Sequence, residues 1–330
     1  MRKLAAHSDF LAESFHPGYL DSLGLGYTAL KKLNPNLIFI SITPYGQTGP
    51  YKDFKAADIT SMAMGGSMYL MGDPDRAPVR ISFQQAAFHA CVQAVIGALV
   101  ALHGRQKTHK GQHVDVSIQQ AVTWTTQYAH STKELMGEVI QRAGGMQKGL
   151  SLGRGLRVIW PCKDGFVAFR MLGGSFGNKT NRGLLAWMKN EGINDRILNF
   201  LGQEDFQIDM LNLETAKKLE QIISEFFLRY TKLELFEEAI RRRIILYPIN
   251  AMKDIFESPQ LKARNFWMEV EHPELDDNLA YPGSFAKLSE NLLGFRRRAP
   301  LIGEHNKEIY SGELGFSEEQ LNLLKEARVI

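Results

Sequence analysis

Two short β-rich runs on either side of a long apolar segment restrict the folds that this chain can adopt more than any other feature does. Residues 37–42 form a continuous apolar run that ends at Pro44, and this pattern predicts a buried strand. A short helix is predicted from about 57 to 66, and a long apolar helix from about Gln84 to His103. Residues 113–118 then alternate, with Val114, Val116 and Ile118 on one face. Strands that alternate with helices predict a parallel sheet covered by helices.

The second half of the chain has a different pattern. Residues 158–169 contain two β-rich runs around Lys-Asp-Gly and predict a hairpin, and helical spacing follows from about 181 to 243. Beyond Pro248 the pattern returns to strand and loop, and a helix is predicted over 318–327. We therefore expect one α/β domain formed by 1–140 and 250–330, and a small α+β domain over 155–249. The glycines at 144, 145, 149, 153 and 155 form either a linker or a loop over the active site.

The amino-acid composition is typical of a globular protein and excludes several other classes of protein. The 330 residues are 44% hydrophobic and 23% charged, and a net charge of +3 gives no reason to expect nucleic acid, although an anionic small ligand fits it. Two distant cysteines, Cys91 and Cys162, exclude a disulfide framework and a zinc cluster, and indicate a reducing cytoplasm. No metal is expected. The stretch 86–102 is the most membrane-like, but we predict that it is the buried helix of a domain rather than a membrane span.

Six short Gly- or Pro-containing motifs follow one another along the chain. They are E-S-F-H-P-G at 13–18, L-G-L-G-Y at 23–27, L-N-P-N-L-I at 33–38, Y-G-Q-T-G-P at 45–50, K-G-Q-H-V-D-V-S at 110–117 and P-L-I-G-E-H-N at 300–306. In sequence and in order these motifs resemble those of the family III CoA-transferases, the group of formyl-CoA transferase, carnitine CoA-transferase and acyl-CoA racemase.

The resemblance implies a fold, a partner and a set of substrates. The fold would be an open Rossmann-like sheet domain with a small second domain, and the C-terminal segment would return to the large domain. Family members normally carry about 80 residues before the first motif, as a strand–helix–strand unit, so we expect that this N-terminal unit is missing here. The substrates would be coenzyme A, as an acyl-CoA, and a carboxylic acid. Two chains would form an interlocked dimer, either a homodimer or a heterodimer with a paralogous subunit.

The catalytic position of the family is the clearest departure. By the resemblance, an aspartate at the start of the long apolar helix attacks the thioester and forms an anhydride and then an enzyme–CoA thioester, which is covalent catalysis. Counting back from Ile96-Gly97 places that aspartate at position 87, where this chain has Ala87. Its neighbours Gln85 and His89 cannot replace it, since an amide is a poor nucleophile and a buried, hydrogen-bonded core histidine is the favoured interpretation of His89.

Two other acids flank position 87 in the sequence. Asp75 and Asp115 are the nearest in sequence, and neither is in register with position 87. For Asp115 we expect a structural or capping role, because aspartate commonly binds nearby backbone. The sequence therefore provides no confident catalytic residue.

The expected contacts to coenzyme A come from two loops. The candidates are Phe15, His16, Pro17, Gly18, Tyr45, Gly46, Lys52 and Lys55. Gly18 permits close backbone approach, and the two lysines are phosphate partners or, equally well, ordinary solvated lysines. Family members often carry a basic residue near the positions of Ser22 and Thr43, and this chain does not.

Three functions remain open from the sequence. The chain is a CoA-transferase with altered catalytic residues, or a non-catalytic CoA-binding or structural subunit of a heterodimeric transferase. An acyl-CoA racemase or isomerase is a lesser alternative, because the racemase histidine is absent from Lys55-Ala56-Ala57-Asp58.

Overall fold

A three-stranded parallel sheet organises the N-terminal part of the chain in the computed structural model, which describes residues 1–148, 155–204, 206, 211–290 and 293–330. Its strands, in the spatial order β1-β2-β3, are β1 (Phe10–Glu13), β2 (Ile38–Thr43) and β3 (His113–Ser117). The parallel sheet and the strand predicted over 37–42 are confirmed. The strand predicted over 113–118 ends one residue early, because the Ser117 side chain accepts a hydrogen bond from the Gln120 amide and caps the helix that begins at Ile118.

Seven helices accompany this sheet in the described residues up to 148. They are α1 (Arg2–Ala5), α2 (Tyr19–Ser22), α3 (Tyr27–Leu33), α4 (Asp58–Met64), α5 (Ala86–Thr108), α6 (Ile118–Trp124) and α7 (Gln127–Met136), with a 3-10 turn at Met68–Leu70. The short helix predicted over 57–66 and the long helix predicted from Gln84 are confirmed as α4 and α5. The path from β2 through α4 and α5 to β3 is the crossover that parallel strands require.

The two faces of the sheet pack against different helices. One face carries Ile38, Ile40 and Val116, which contact Ala90 and Ala94 of α5. The opposite face, which carries Phe39, is covered by the α1–α3 region, and the cluster there also contains Ala5, Leu20, Leu30 and Leu37. Period-2 alternation in β2 separates these two sets, as a strand buried on both faces requires.

The predicted burial of α5 is wrong for much of its surface. Only 22% of its most apolar 18-residue window is buried, although length and composition alone would allow this helix to cross a membrane. Ala86, Ala90, Ala94 and Ala101 are the buried residues of the helix. The larger apolar side chains on the other side remain exposed in the described chain. The apolar composition of α5 therefore does not mean that the chain's own core encloses this helix.

A two-stranded and a three-stranded antiparallel sheet, together with a helical layer, form the middle of the chain. The strands are β4 (Met146–Lys148), β5 (Gly155–Arg157), β6 (Ile159–Cys162), β7 (Gly165–Phe169) and β8 (Leu246–Pro248), and the helices are α8 (Gly174–Asn190), α9 (Leu213–Phe227) and α10 (Lys232–Arg242), with a 3-10 segment at Arg196–Gly202. β6 and β7 form the predicted hairpin, and β8 pairs with β7. Their core includes Trp160, Trp187 and Phe226.

The glycine-rich connection is only partly described. Gly144 donates a backbone hydrogen bond to Gly72 at 2.8 Å. Gly145 precedes β4, and Gly155 begins β5, which pairs with β4. Gly149 and Gly153 lie outside the described residues.

The C-terminal part contains a hairpin between short helices. Its elements are α11 (Met252–Glu257), α12 (Pro259–Ala263), β9 (Trp267–His272), β10 (Asp277–Pro282), a π-helical segment at Lys307–Glu313 and α13 (Glu318–Glu326). The predicted terminal helix is confirmed as α13. Lys3 Nζ donates to the Leu314 carbonyl at 3.4 Å and lies 5.2 Å from the Phe316 ring centroid. The division into a large domain (1–140 and 250–330) and a small one (155–249) stays a prediction.

Candidate functional site

The segments predicted to contact a ligand converge at one edge of the parallel sheet. Residues 14–18 follow β1 and residues 44–50 follow β2, so both loops lie at the carboxyl edge. The C-terminal end of α5 lies at the opposite edge, because Arg105 donates to the Asn36 carbonyl at 2.8 Å and to Asp9 Oδ1 at 2.7 Å. The first turn of α5 is therefore at the carboxyl edge, where open α/β sheets bind ligands.

The loop after β1 is shaped by its own polar groups. The Phe15 amide donates to Glu13 Oε2 at 2.7 Å, and Gly18, the N-cap residue of α2, has a φ of +82°, a left-handed conformation that suits glycine. The His16 ring joins this loop to the next one, because its nitrogens lie 3.0 Å from the Pro17 carbonyl and 3.3 Å from the Asp53 carbonyl. The structure thus brings 15–18 together with 44–55.

The loop after β2 is held by the strand beside it. The Gln47 amide donates to both carboxylate oxygens of Asp115, at 3.1 and 3.0 Å. Gly46 has a φ of +87°, and a Cβ there would lie 3.5 Å from those oxygens. Asp115 is thus engaged by backbone, in agreement with the structural role expected for it.

A small cavity of about 140 Å³ lies between the two loops and the sheet. Its lining includes two of the predicted residues, His16 and Gly18, and three others, Ser41, Gln47 and His113. Ser41 Oγ lies 2.9 Å from His113 Nε2, and the Gln47 Nε2 atom is buried with no hydrogen-bond partner in the described part of the chain. The volume is below the 300–1,000 Å³ of most small-molecule sites. It is large enough only for part of a ligand.

The sequence did not reveal the polar group formed by Ser41 and His113. Ser41 lies on β2, two residues after Phe39, which is the register partner of His113 on β3. The contact between Ser41 and His113 therefore depends on the pairing of the two strands. The available signal was a polar residue within each β-rich run, on the same face as Phe39. Neither residue alone indicates a cavity.

An exposed aromatic and basic surface extends from the loop after β2. The Tyr45 ring centroid lies 6.0 Å from that of Tyr51 and 6.4 Å from that of Phe54. Lys52 and Lys55 are exposed, and neither ammonium group takes part in a hydrogen bond or ion pair within the described residues. Aromatic faces can stack on a nucleobase, and free ammonium groups can bind phosphate as point charges.

The start of α5 has a carboxylate that the sequence analysis overlooked. Asp58, the first residue of α4, uses Oδ1 to accept hydrogen bonds from the Gln85 and Ala86 amides, each at 2.7 Å. These are amides with no partner inside α5, so Asp58 caps this helix from outside its own segment. Ala87, the second residue of α5, is exposed. Its methyl group supplies no nucleophile.

The neighbours of Ala87 do not replace a carboxylate. Gln85 Nε2 donates to the Gln84 carbonyl at 3.0 Å. His89 is half-buried, so the expectation of a buried core histidine is wrong, because the first turn of α5 is open on that side. In the described chain the His89 ring takes part in no hydrogen bond. Neither Gln85 nor His89 therefore supplies a carboxylate at the first turn of α5.

Two positions where the family often has a cation are occupied by small hydroxyl residues. Ser22 is exposed on α2, and its Oγ donates to the Tyr19 carbonyl at 2.7 Å. Thr43 is fully buried, and its Oγ1 has no hydrogen-bond partner among the described residues. Neither side chain can supply a positive charge to a ligand.

The last sequence motif has a structural role away from this site. Glu304 accepts from Arg298 through both oxygens, at 2.9 and 3.0 Å, and from the Leu301 amide at 2.7 Å. Arg298 also pairs with Glu274 at 2.8 Å, and Glu274 with His272 of β9 at 2.7 Å. The Arg298 guanidinium and the Leu301 amide hold the pKa of Glu304 below its usual range. The motif thus attaches residues 298–304 to the β9–β10 hairpin.

Comparison with known proteins identifies the family of this chain. The sequence model described as "CoA-transferase family III" matches residues 1–306. The chain belongs to CoA-transferase family III. The resemblance predicted from the six motifs is therefore confirmed over most of the chain.

Similar family III proteins act on CoA thioesters and organic acids, as their names state. The succinyl-CoA:(R)-benzylsuccinate CoA-transferase subunit BbsE of Thauera aromatica is 33% identical over 98% of this chain and 77% of its own length. The succinyl-CoA–L-malate CoA-transferase beta subunit of Chloroflexus aurantiacus is 28% identical over 100% of this chain and 78% of its own length. A CAIB/BAIF family protein from Brucella suis has a similar crystal structure, with a TM-score of 0.78 and 26% identity over 94% of this chain and 77% of that one.

Proposed function

We propose that this family III chain handles acyl-CoA and organic-acid substrates as a CoA-transferase subunit without a nucleophile of its own. The single observation that carries the proposal is Ala87 on the exposed first turn of α5. The carboxylate that does reach this turn, Asp58, is occupied by two helix amides. An acid that caps a helix is stabilised as a hydrogen-bond acceptor, which does not favour attack on a thioester.

Binding of coenzyme A is supported by the loops at the carboxyl edge. His16 and Gly18 line the small cavity, while Phe15, Tyr45 and the two free lysines lie on the adjoining surface. The missing cations at Ser22 and Thr43 argue for weaker binding than in a chain that has them. We therefore expect the chain to bind coenzyme A or an acyl-CoA weakly.

Activity in this proposal belongs to an assembly. Two similar proteins are named as subunits of CoA-transferases. The assembly would be an interlocked dimer in the cytoplasm, either a homodimer or a heterodimer with a paralogous chain that has the aspartate. In the heterodimer the paralogue would form the covalent intermediate.

The proposal is tested by restoring the carboxylate. The purified chain is incubated with succinyl-CoA and a panel of dicarboxylic acids, and CoA esters are measured by chromatography and covalent adducts by intact mass. We expect no adduct and negligible transfer from the unmodified chain, and an adduct of the mass of coenzyme A less one water in Ala87→Asp. The introduced carboxylate can attack the thioester carbonyl, release the CoA thiolate and form a mixed anhydride. The thiolate then attacks the aspartyl carbonyl of the anhydride, which forms the enzyme thioester and releases succinate.

The matched control is Ala87→Asn, which has nearly the same shape but cannot form the anhydride. Both variants should fold, since Ala87 is exposed and an acid is favourable in the first turn of a helix. Loss of a nucleophile commonly reduces covalent catalysis by several orders of magnitude. Robust turnover by the unmodified chain, with an adduct on another residue, would show that the nucleophile is not at position 87.

A further inference from the structure

One face of α7 lines a cavity that is separate from the two loops at the carboxyl edge of the sheet. Its volume is about 290 Å³, close to the lower end of most small-molecule sites. Thr126, Ala129, His130 and Lys133 form this wall. Their spacing of three and four residues places them on one side of the helix. Among the described residues that line the cavity, none belongs to the loops at 15–18 and 44–55.

The opposite wall of this cavity is apolar. Tyr69 and Leu70 contribute from the turn after α4, and Val139 and Ile140 contribute from the segment after α7. Burying a polar group against such a wall without a hydrogen-bond partner costs free energy, whereas a hydrocarbon or aromatic group gains from the contact. The wall therefore favours a ligand with an apolar body.

Hydrogen bonds hold the apolar wall in place. The Tyr69 hydroxyl donates to Gln141 Oε1. The Arg142 guanidinium donates to the Asp73 carbonyl at 3.0 Å and to the Arg76 carbonyl at 2.7 Å. The segment after α7 is thus fastened to the segment that follows Tyr69. A wall that is already ordered costs less conformational entropy when a ligand binds.

Lys133 gives the cavity a positive charge. Lys133 and His130 are exposed, and neither side chain takes part in a hydrogen bond or ion pair within the described part of the chain. The described lining residues include no Asp or Glu that could neutralise the Lys133 ammonium group. A cation beside an apolar wall is complementary to an amphipathic carboxylate. Inorganic phosphate would meet the same charge but leave the apolar wall in contact with water.

The 3-10 turn at 68–70 lies between this cavity and the start of α5. Met68 packs against the cluster that contains Ala86, the first residue of α5. The next two residues, Tyr69 and Leu70, line the cavity. A ligand in the cavity is therefore near the first turn of α5.

We infer that this cavity binds the organic acid of the proposed function, and that the acid is an aryl- or alkyl-carboxylate with an apolar body. Lys133 pairs with a carboxylate of the acid, and the ring or chain lies between α7 and Tyr69. A volume of about 290 Å³ corresponds to about ten water molecules at roughly 30 Å³ each, so the ligand has on the order of ten non-hydrogen atoms. A short polar acid such as oxalate would leave the apolar wall unused.

The inference deepens the proposed function and rests on it for the role of the ligand as a substrate, whereas binding itself is measured without turnover. The test is a ligand-observed NMR titration of the purified chain with three probes. 3-Phenylpropanoate has both an apolar body and a carboxylate, 3-phenylpropan-1-ol lacks the charge, and succinate lacks the apolar body. We expect 3-phenylpropanoate to bind with a Kd on the order of 1 mM, as suits a ligand of this size. The alcohol should bind at least about 3-fold more weakly and succinate at least about 10-fold more weakly.

Two variants separate the charge of the cavity from its apolar wall. Lys133→Gln removes the charge and should weaken 3-phenylpropanoate binding about 3-fold to 5-fold, the effect of one exposed ion pair, while the affinity for the alcohol stays unchanged. Ala129→Leu fills part of the cavity and should weaken the binding of both aromatic probes at least about 10-fold. The matched controls are Lys217→Gln on α9 and Ala186→Leu on α8, which change exposed residues of other helices and should alter neither affinity. Circular dichroism verifies that each variant is folded.

Equal binding of succinate and 3-phenylpropanoate would overturn the inference, and so would an affinity for 3-phenylpropanoate that is unchanged in both Lys133→Gln and Ala129→Leu. An adduct in Ala87→Asp would still support the proposed function in that case. Conversely, binding that depends on Lys133 and Ala129, with no adduct in Ala87→Asp, would support the binding site but overturn the role of its ligand as a substrate.

Discussion

The cap that Asp58 places on α5 makes the stability of the first helical turn depend on one side chain. Asp58 comes from α4, and its Oδ1 accepts from the Gln85 and Ala86 amides at 2.7 Å each. Asp58→Ala removes the acceptor and the charge together, whereas Asp58→Asn retains an acceptor oxygen and removes only the charge. The two variants therefore separate hydrogen bonding from the interaction with the helix dipole.

The expected magnitudes follow from these contacts. Loss of an N-cap costs about 0.5–2 kcal/mol. We expect the upper value, about 2 kcal/mol, for Asp58→Ala because one oxygen satisfies two amides. Loss of the negative charge alone costs about 0.3–1 kcal/mol, and this is the expected effect of Asp58→Asn.

Hydrogen exchange of the peptide that contains residues 85–87 is the appropriate assay, because it measures local opening rather than global unfolding. A change of 2 kcal/mol corresponds to exchange about 30-fold faster in Asp58→Ala, and Asp58→Asn should lie between this variant and the unmodified chain. Asp75→Ala is the control: Asp75 is an exposed acid nearby in the sequence that caps no helix in the described chain. Unchanged exchange in Asp58→Ala would show that the carboxylate is free, and it would then become a candidate nucleophile.

Two further predictions concern glycines and the C-terminal network. Gly46→Ala should destabilise the chain by about 1–2 kcal/mol, because the φ of +87° at this position is left-handed. Gly104→Ala in α5 should instead stabilise the chain by about 0.5–1 kcal/mol, since the added Cβ meets only the Gln112 side chain at 3.5 Å. Denaturant titrations of both variants measure the two changes in unfolding free energy, and changes of equal sign would contradict the argument. The pKa of Glu304 is lowered first by its hydrogen bond with Arg298. Its contribution to folding stability is therefore present above the ordinary glutamate pKa of about 4.3 and is lost as pH falls through the lower folded pKa. Glu304→Gln should flatten this loss of protection in acid, measured by hydrogen exchange of residues 298–306, and an unaltered pH profile would count against the prediction.

Much of the fold could be predicted because it depends on local patterns. The continuous apolar run of β2, the hairpin turn at Lys163-Asp164-Gly165 and the terminal helix α13 are each encoded within a few residues. The six motifs also predicted the family. The motifs could predict the family because each consists of turn and strand-end residues that can be read from the sequence without the structure.

The contacts of the site could not be predicted in the same way. Asp58 and Gln85 are 27 residues apart, and Ser41 and His113 are 72 apart. Each pair meets only after the crossover from β2 to β3 has formed. Spacing in the sequence indicated that Ala87 lacks a carboxylate, but it could not show that another carboxylate reaches the same turn and is already hydrogen-bonded there.

The misjudged burial of α5 has a physical cause that also explains its outer face. Apolar side chains leave water equally well against the chain's own core or against another chain, so hydrophobicity alone does not distinguish the two. Side-chain size does distinguish them here. The buried face of α5 uses alanines and Gly97, where a Cβ would come within 2.7 Å of Val114, so this side is already in close contact with the sheet. The larger apolar side chains of α5, such as Phe88, Val92 and Leu99, lie on the other side and remain exposed. The helix is therefore apolar on both sides although its own fold covers only one of them.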